Sequence, residues 1–333
     1  MTKLKDTNYL SLSSRLRAME KRLLDQSRME RILESASDEE AAKLLQECGY
    51  GVTSVSDPAE LDRALSEARR EVLRDLASAA PDGRFVDLFR MKYDYHNVKV
   101  LLKAEAKGVD PGHMLMDLGR IAPDKLREAV ETGAVSDLPP RLQTALQEAR
   151  EVLHTTGDPQ LSDIVLDRNY YQELQELARD TGSAFLAGYV RRLIDADNLR
   201  ALVRTLRMHK GAAFLRQALV EGGDVAVSAI LNVAAAEGGG LAELYATTRL
   251  HAAAEAGAAA VGGGALTRFE KLCDDAVSNY LADAKYVAFG EAPLVGYLAA
   301  RETEYTNLRI LLLGRSMGLS GETVRERLRE AYV

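Results

Sequence analysis

The segment Asp94-Tyr-His-Asn97-Val-Lys99-Val-Leu101-Leu102 decides the fold, because the chain writes it three times. It returns as Asp195-Ala-Asp-Asn198-Leu-Arg200-Ala-Leu202-Val203 and as Glu304-Tyr-Thr-Asn307-Leu-Arg309-Ile-Leu311-Leu312. The shared pattern is an acid, two residues, asparagine, an aliphatic residue, a base, any residue, leucine and another aliphatic residue. With average residue frequencies, a second copy arises by chance with a probability on the order of 10⁻³. The asparagines stand 101 and 109 residues apart, a domain length. Three units are therefore expected, 1–115, 116–220 and 221–333.

Outward from the motif the units stay alike. An apolar-aromatic stretch precedes each copy, at Phe85–Phe89, Phe185–Tyr189 and Leu294–Leu298, and Tyr171 and Tyr280 each stand 27 residues before their asparagine. On a helix the acid and the asparagine three residues later share one face, continued by the leucine, while the base points elsewhere. Asp94, Asn97, Asp195, Asn198, Glu304 and Asn307 are thus expected as structural residues that bond neighbouring helix ends, since buried polar groups need partners. Lys99, Arg200 and Arg309 are expected at the surface, as solvated charges or as partner contacts.

The remaining chain reads as all-α. Asp57-Pro58 opens an amphipathic run through Leu61, Leu65, Ala68, Val72 and Leu76, an N-cap followed by proline at the first helical position. Ser37 stands three residues before Glu40 in capping-box spacing. Val324, Leu328 and Tyr332, spaced by four behind Ser320, predict a C-terminal helix. The glycine triplets 238–240 and 262–264 predict loops, with a short helix around Tyr245 and Arg249 between them. Val52–Ser56 is the sole β-branched run, too short and isolated to imply a sheet.

Composition excludes several classes. A net charge of −7 with interspersed signs offers no basic field for nucleic acid. Two distant cysteines, Cys48 and Cys273, suggest neither disulfides nor a zinc site, and fit a reducing compartment. The start at Met1–Asp6 lacks the apolar segment of an export signal, and no window is apolar enough to insert into a bilayer. No phosphate-binding glycine loop occurs. Glu151 and His154 form a single Glu-x-x-His pair where a di-iron bundle needs two. Asp274-Asp275 lacks the third acid of a magnesium-diphosphate site and reads as a solvated helix turn, and His96 reads as a helix-packing residue. No catalytic, cofactor or metal site is expected.

Met91–Leu102 within Phe85–Gly108, together with Asn307–Gly314 and Gly318–Leu328, resembles the central-stalk C subunit of V-type and A-type rotary ATPases, whose eukaryotic counterpart is the d subunit. The resemblance spans almost the whole chain. It implies three similar helical-bundle domains in a pseudo-threefold funnel. It also implies a non-catalytic socket on the cytoplasmic face, joining the central shaft to the membrane rotor ring and reaching the membrane only through that ring. The middle copy departs from the pattern. It has Ala196 and Asp197 where the first has Tyr95 and His96, and it lacks the glycine that follows the other asparagines by eleven residues, Gly108 and Gly318. Its helix is expected to end differently. The repeats alone also fit a helical scaffold for an unrelated soluble partner, although units near 100 residues are long for a solenoid.

Overall fold

The computed structural model describes residues 4–52, 55 and 57–333; Thr53, Ser54 and Ser56 of the β-branched run and the start of the N-terminal reading fall outside them. Every regular element among the described residues is helical. The α-helices are α1 (Leu10–Glu20), α2 (Gln26–Glu34), α3 (Asp38–Glu47), α4 (Pro58–Ala79), α5 (Arg84–Lys107), α6 (Pro123–Thr132), α7 (Pro140–Thr156) and α8 (Pro159–Thr181). There follow α9 (Ala184–Arg207), α10 (Ala212–Ala218), α11 (Val227–Ala235), α12 (Leu241–Leu244), α13 (His251–Val261), α14 (Leu266–Ala282), α15 (Glu291–Ser316) and α16 (Gly321–Arg325).

Local chemistry starts these helices where the sequence suggests. The Asp57 carboxylate accepts the Ala59 N–H ahead of Pro58, and the Ser37 hydroxyl accepts the Glu40 N–H. Ser320 likewise caps α16. That helix ends at Arg325, shorter than the Val324-Leu328-Tyr332 spacing predicts, because side chains from α14 and α15 hold Arg329 and Glu330 in a non-helical tail. Leu328 and Tyr332 are buried all the same.

The glycine triplets do lie in turns. The stretch 245–250 between them is also a turn, not a helix. The small-residue face sits one turn later on α13, where Ala253, Ala254, Gly257 and Ala260 are buried. A methyl group on Gly257 would stand 2.8 Å from Val203, so glycine lets α13 approach α9.

The three motif helices, α5, α9 and α15, are buried on most faces, so they sit inside the molecule and not on its surface. Helices α4, α5, α8, α9, α14 and α15 form a closed cycle in which each touches the next and α15 touches α4. Motif helix α5 packs on α6, α7 and α8; α9 packs on α10, α11, α13 and α14. For α15 the corresponding neighbours α1, α2 and α4 come from the beginning of the chain. A second apolar core, separate from the main one, is built wholly from chain ends: Leu24 to Leu65 against Tyr305 to Leu328.

All three motif helices end alike. Gly108 (φ 63°), His209 (φ 54°) and Gly318 (φ 65°) each stand eleven residues after their asparagine in the left-handed conformation. The following N–H bonds back each time, Val109 to Ala104, Lys210 to Thr205 and Leu319 to Gly314. The middle helix therefore ends as the others do, with a histidine in the glycine position. A side chain there is strained, so His209→Gly is expected to raise stability by about 0.5–1 kcal/mol in urea unfolding.

Candidate functional site

Each asparagine of the motif clasps the backbone of the chain that follows it. Asn97 donates to the Met116 carbonyl at 2.8 Å and accepts the Met116 N–H at 2.8 Å. Asn198 does the same with Val220 at 2.8 and 2.9 Å, and Asn307 with Arg329 at 3.0 and 2.8 Å. The motif polar residues thus hold returning loops, where sequence reasoning placed helix ends.

The acids divide. Asp94 accepts the N–H groups of Arg120 and Ile121 at 2.9 and 3.2 Å, and Asp195 those of Asp224 and Val225 at 2.9 and 3.0 Å. Burial pushes both carboxyls above the usual range despite these donors. A methyl group on Gly119 or Gly223 would overlap these carboxylates, so each clasped loop needs a glycine there. In the third unit Glu304 turns instead to the Leu24 N–H at 2.6 Å, the Tyr50 hydroxyl and Arg301. Its place is taken by Asp275, which accepts the Glu330 N–H at 2.8 Å. Asp275 is buried, so the expectation of a solvated turn fails there; Asp274 pairs with Arg200 and Arg329.

The motif bases link successive parts of the cycle. Lys99 on α5 meets Asp167 on α8 at 2.5 Å, Arg200 on α9 meets Asp274 on α14, and Arg309 on α15 meets Asp62 on α4 at 3.3 Å. Two of these pairs have a second rung one turn away: Lys103 with Asp163 at 2.6 Å and Arg204 with Glu270 at 2.8 Å. The third has none, because Leu313 replaces the base and Pro58, where α4 begins, replaces the acid. Arg309 is exposed, its side chain at 59%, while Lys99 and Arg200 are half-buried, at 23% and 14%, with Arg200 among Asp197, Glu270 and Asp274. Acids in reach on a neighbouring helix give a half-buried base charge-assisted partners while its aliphatic stem packs.

Inside the cycle lies a cavity of about 220 Å³. Phe89, Tyr189 and Ala299 line it eight or nine residues before each asparagine, and Lys92, Leu193 and Glu302 line it five residues before. Equivalent positions meet at two levels, so the three motif helices run parallel around it. Phe89 and Tyr189 stack at 6.4 Å, and Lys92 reaches Glu302 at 2.5 Å. At the N-terminal ends Ser183 bonds Glu291 at 2.6 Å and Arg84 reaches the Asp180 carbonyl at 3.1 Å, while Leu4 and Tyr9 lie over the junction. Burial pushes the Glu302 carboxyl up, but Lys92 and Arg69, 3.1 Å away, outweigh it and hold it below its ordinary value of 4.5. The stability lost in Glu302→Gln is then full above pH 4.5 and shrinks as pH falls through the lowered value, measurable by urea titration of both proteins between pH 3 and 7.

Most exposed large apolar side chains gather at the two ends of this parallel trio. Val109, Met208 and Met317 stand at its C-terminal end. At the other end are Leu4, near Phe85 and Glu291, Leu10 at the start of α1, and Tyr286, Val287 and Phe289 ahead of α15. Arg17 holds that last loop through the carbonyls of Ala284 and Val287 at 2.8 and 2.7 Å.

The other sequence candidates stay apart from this arrangement. Glu151 and His154 are exposed on α7, and among the described residues no three His, Cys, Asp or Glu side chains converge as metal ligands. His96, expected to pack, is exposed and bonds the Met114 carbonyl at 3.2 Å. Sequence reasoning missed the acids that receive the bases. The signal was present as Asp163 and Asp167, and again as Glu270 and Asp274, each pair spaced by four ahead of a motif.

Residues 12–327 match the family described as ATP synthase (C/AC39) subunit. The chain is 26% identical to the C subunit of the V-type sodium ATPase of Enterococcus hirae, covering 97% of this chain and 99% of that protein. It is 25% identical to the C subunit of the A-type ATP synthase of Methanocaldococcus jannaschii, over 96% of this chain and 86% of the relative. The C subunit of a V-type ATP synthase of Deinococcus radiodurans is also 25% identical, over 96% and 90%. With the family match running from residue 12 to residue 327 and these relatives aligned over nearly their whole length, this chain belongs to the C-subunit family of V-type and A-type ATP synthases.

Proposed function

We propose that the chain is the non-catalytic socket of a rotary ATPase, joining the central shaft to the membrane rotor ring and passing torque between them. On this reading its three units, 1–115, 116–220 and 221–333, form a pseudo-threefold funnel around the axial cavity. Its partners are the shaft and ring subunits, and it lies at the cytoplasmic face of the membrane through the ring. The observation that carries the reading is the gathering of exposed apolar side chains at the two ends of the parallel motif helices. Apolar side chains left exposed at both ends of one axis suit a part held between two others. The closed cycle of helices, tied by ion pairs, resists twist as a packed core does. Among the described residues no helix is long and apolar enough to cross a membrane, so attachment runs through a partner.

The test is reconstitution from purified parts: the chain is expected to co-elute with the shaft subunits and with the detergent-solubilised ring at micromolar concentration. Binding to neither overturns the proposal. Met208→Ser with Met317→Ser, and separately Tyr286→Ser with Phe289→Ser, are each expected to weaken one of the two associations and spare the other.

A further inference from the structure

The helix cycle is continuous in the chain at two of its joints and discontinuous at one. The neighbours of α5 and α9 follow them in sequence, through α8 and α14. Between α15 and α4 there is no covalent connection, since these elements lie near opposite ends of the chain. Three independent features single out that joint. Outward of the Arg69–Glu302 pair it has one ion pair, Arg309 with Asp62, more than half exposed on the arginine side, where the α5–α8 joint has two pairs and the α9–α14 joint three. Beside it lies a cavity of about 610 Å³ between α4, residues 113–118 and α15, larger than the axial one. Its apolar contacts, Leu61 and Leu65 against Leu308 and Leu312, belong to the second core, which is insulated from the main core. Between the two cores α4 and α15 carry a polar layer, Arg69 and Arg70 on one helix and Arg301 to Glu304 on the other.

We propose that the cycle opens at the α4–α15 joint, as a sub-global unit that parts while the main core stays folded. Sub-global opening follows the boundaries of cooperative units. Here the boundary is drawn by the separation of the cores, and separating the joint exposes the second core alone. The covalent links at the other two joints limit how far their helices can move apart. Glu302, bound to Lys92 and Arg69 below the joint, keeps α15 attached to α5 and α4 and acts as the pivot.

The experiment measures thiol reactivity under native conditions. Cys273, fully buried at the α9–α14 joint, is a built-in probe of the main core. Cys48, half-buried, is first replaced by serine. Into that background go Leu65→Cys, at the α4–α15 joint, and separately Leu166→Cys on α8; both leucines are buried. Labelling with an excess of a small disulfide reagent is expected to be about 100-fold faster at position 65 than at 166 or 273, with weak urea dependence. Adding Arg309→Glu is expected to speed labelling at position 65 severalfold and leave position 273 unchanged. Equal rates with equal urea dependence at all three positions, or equal acceleration of Cys273 by Arg309→Glu, overturn the proposal. Because Leu65→Cys could itself loosen the second core, Leu308→Cys on the facing side is measured too and must give the same fast rate; a slow rate there also overturns it.

Discussion

Replacing Arg200 by methionine lowers the stability of the protein by about 2–3 kcal/mol, while the same change at Arg309 costs about 0.5 kcal/mol or less. Both residues are the base of the same motif, so composition and spacing give them one expectation. Arg200 sits among three carboxylates, with Asp197 at 2.6 Å, Glu270 at 2.9 Å and Asp274 closer still. Methionine keeps the aliphatic packing and leaves those acids facing one another with only Arg204 and Arg329 to offset them. Arg309 meets a single exposed aspartate in water, where screening and side-chain entropy cancel most of the attraction. Urea unfolding of the two variants at low and high salt checks the contrast. Equal losses would mean that the bases act alike and that burial does not grade them. Lys99→Met falls between the two, since its acid is half exposed and Lys103 still faces the neighbouring Asp163.

The second large effect is at the clasp. Asn198→Ala removes two hydrogen bonds and leaves the N–H and carbonyl of Val220 buried without partners, a loss of about 3 kcal/mol. Asn198→Asp retains the acceptor, replaces the donor by a second acceptor aimed at a carbonyl, and is expected to lose at least as much at pH 7. Asn307→Ala is expected to lose about half as much, since its bonds to Arg329 are only partly buried and water can replace them. Thermal unfolding of the three variants gives the order directly. If Asn198→Ala proves as mild as a surface substitution, the loop at 220 is held by packing and the clasp is incidental.

How much of this was legible in the sequence follows from what repetition records. A side chain doing the same job three times leaves a periodic trace, so the asparagines, their spacing and the all-helical class could be read. The exchange of Glu304 for Asp275 could not, because the job moved to another helix while the pattern stayed acidic. The pairing of Lys99 and Arg200 was hidden for a related reason: a base on a helix looks solvated until a neighbouring helix supplies an acid, and that neighbour lies some 70 residues away. His209 shows the reverse case. The missing glycine suggested a different helix end, yet the hydrogen bonds of the flanking turns were enough to hold a histidine in the same left-handed position. The pairing of the first helices with the last left no local signal at all. Nothing in residues 24–65 announces that their apolar face waits for Tyr305 to Leu328.

That waiting has a duration. A ribosome that adds about 5–20 residues per second completes the 240 residues from Leu65 to Tyr305 in roughly 12–50 s. Throughout that interval Leu24, Ile32, Leu45, Leu61 and Leu65 are made but lack the surface they are to be buried against. The nascent chain therefore carries an exposed apolar face at its leading end until synthesis is nearly finished. A stop codon just before α15 would release a product that also lacks the partner surface of its N-terminal apolar face, a defect at the opposite terminus from the missing residues.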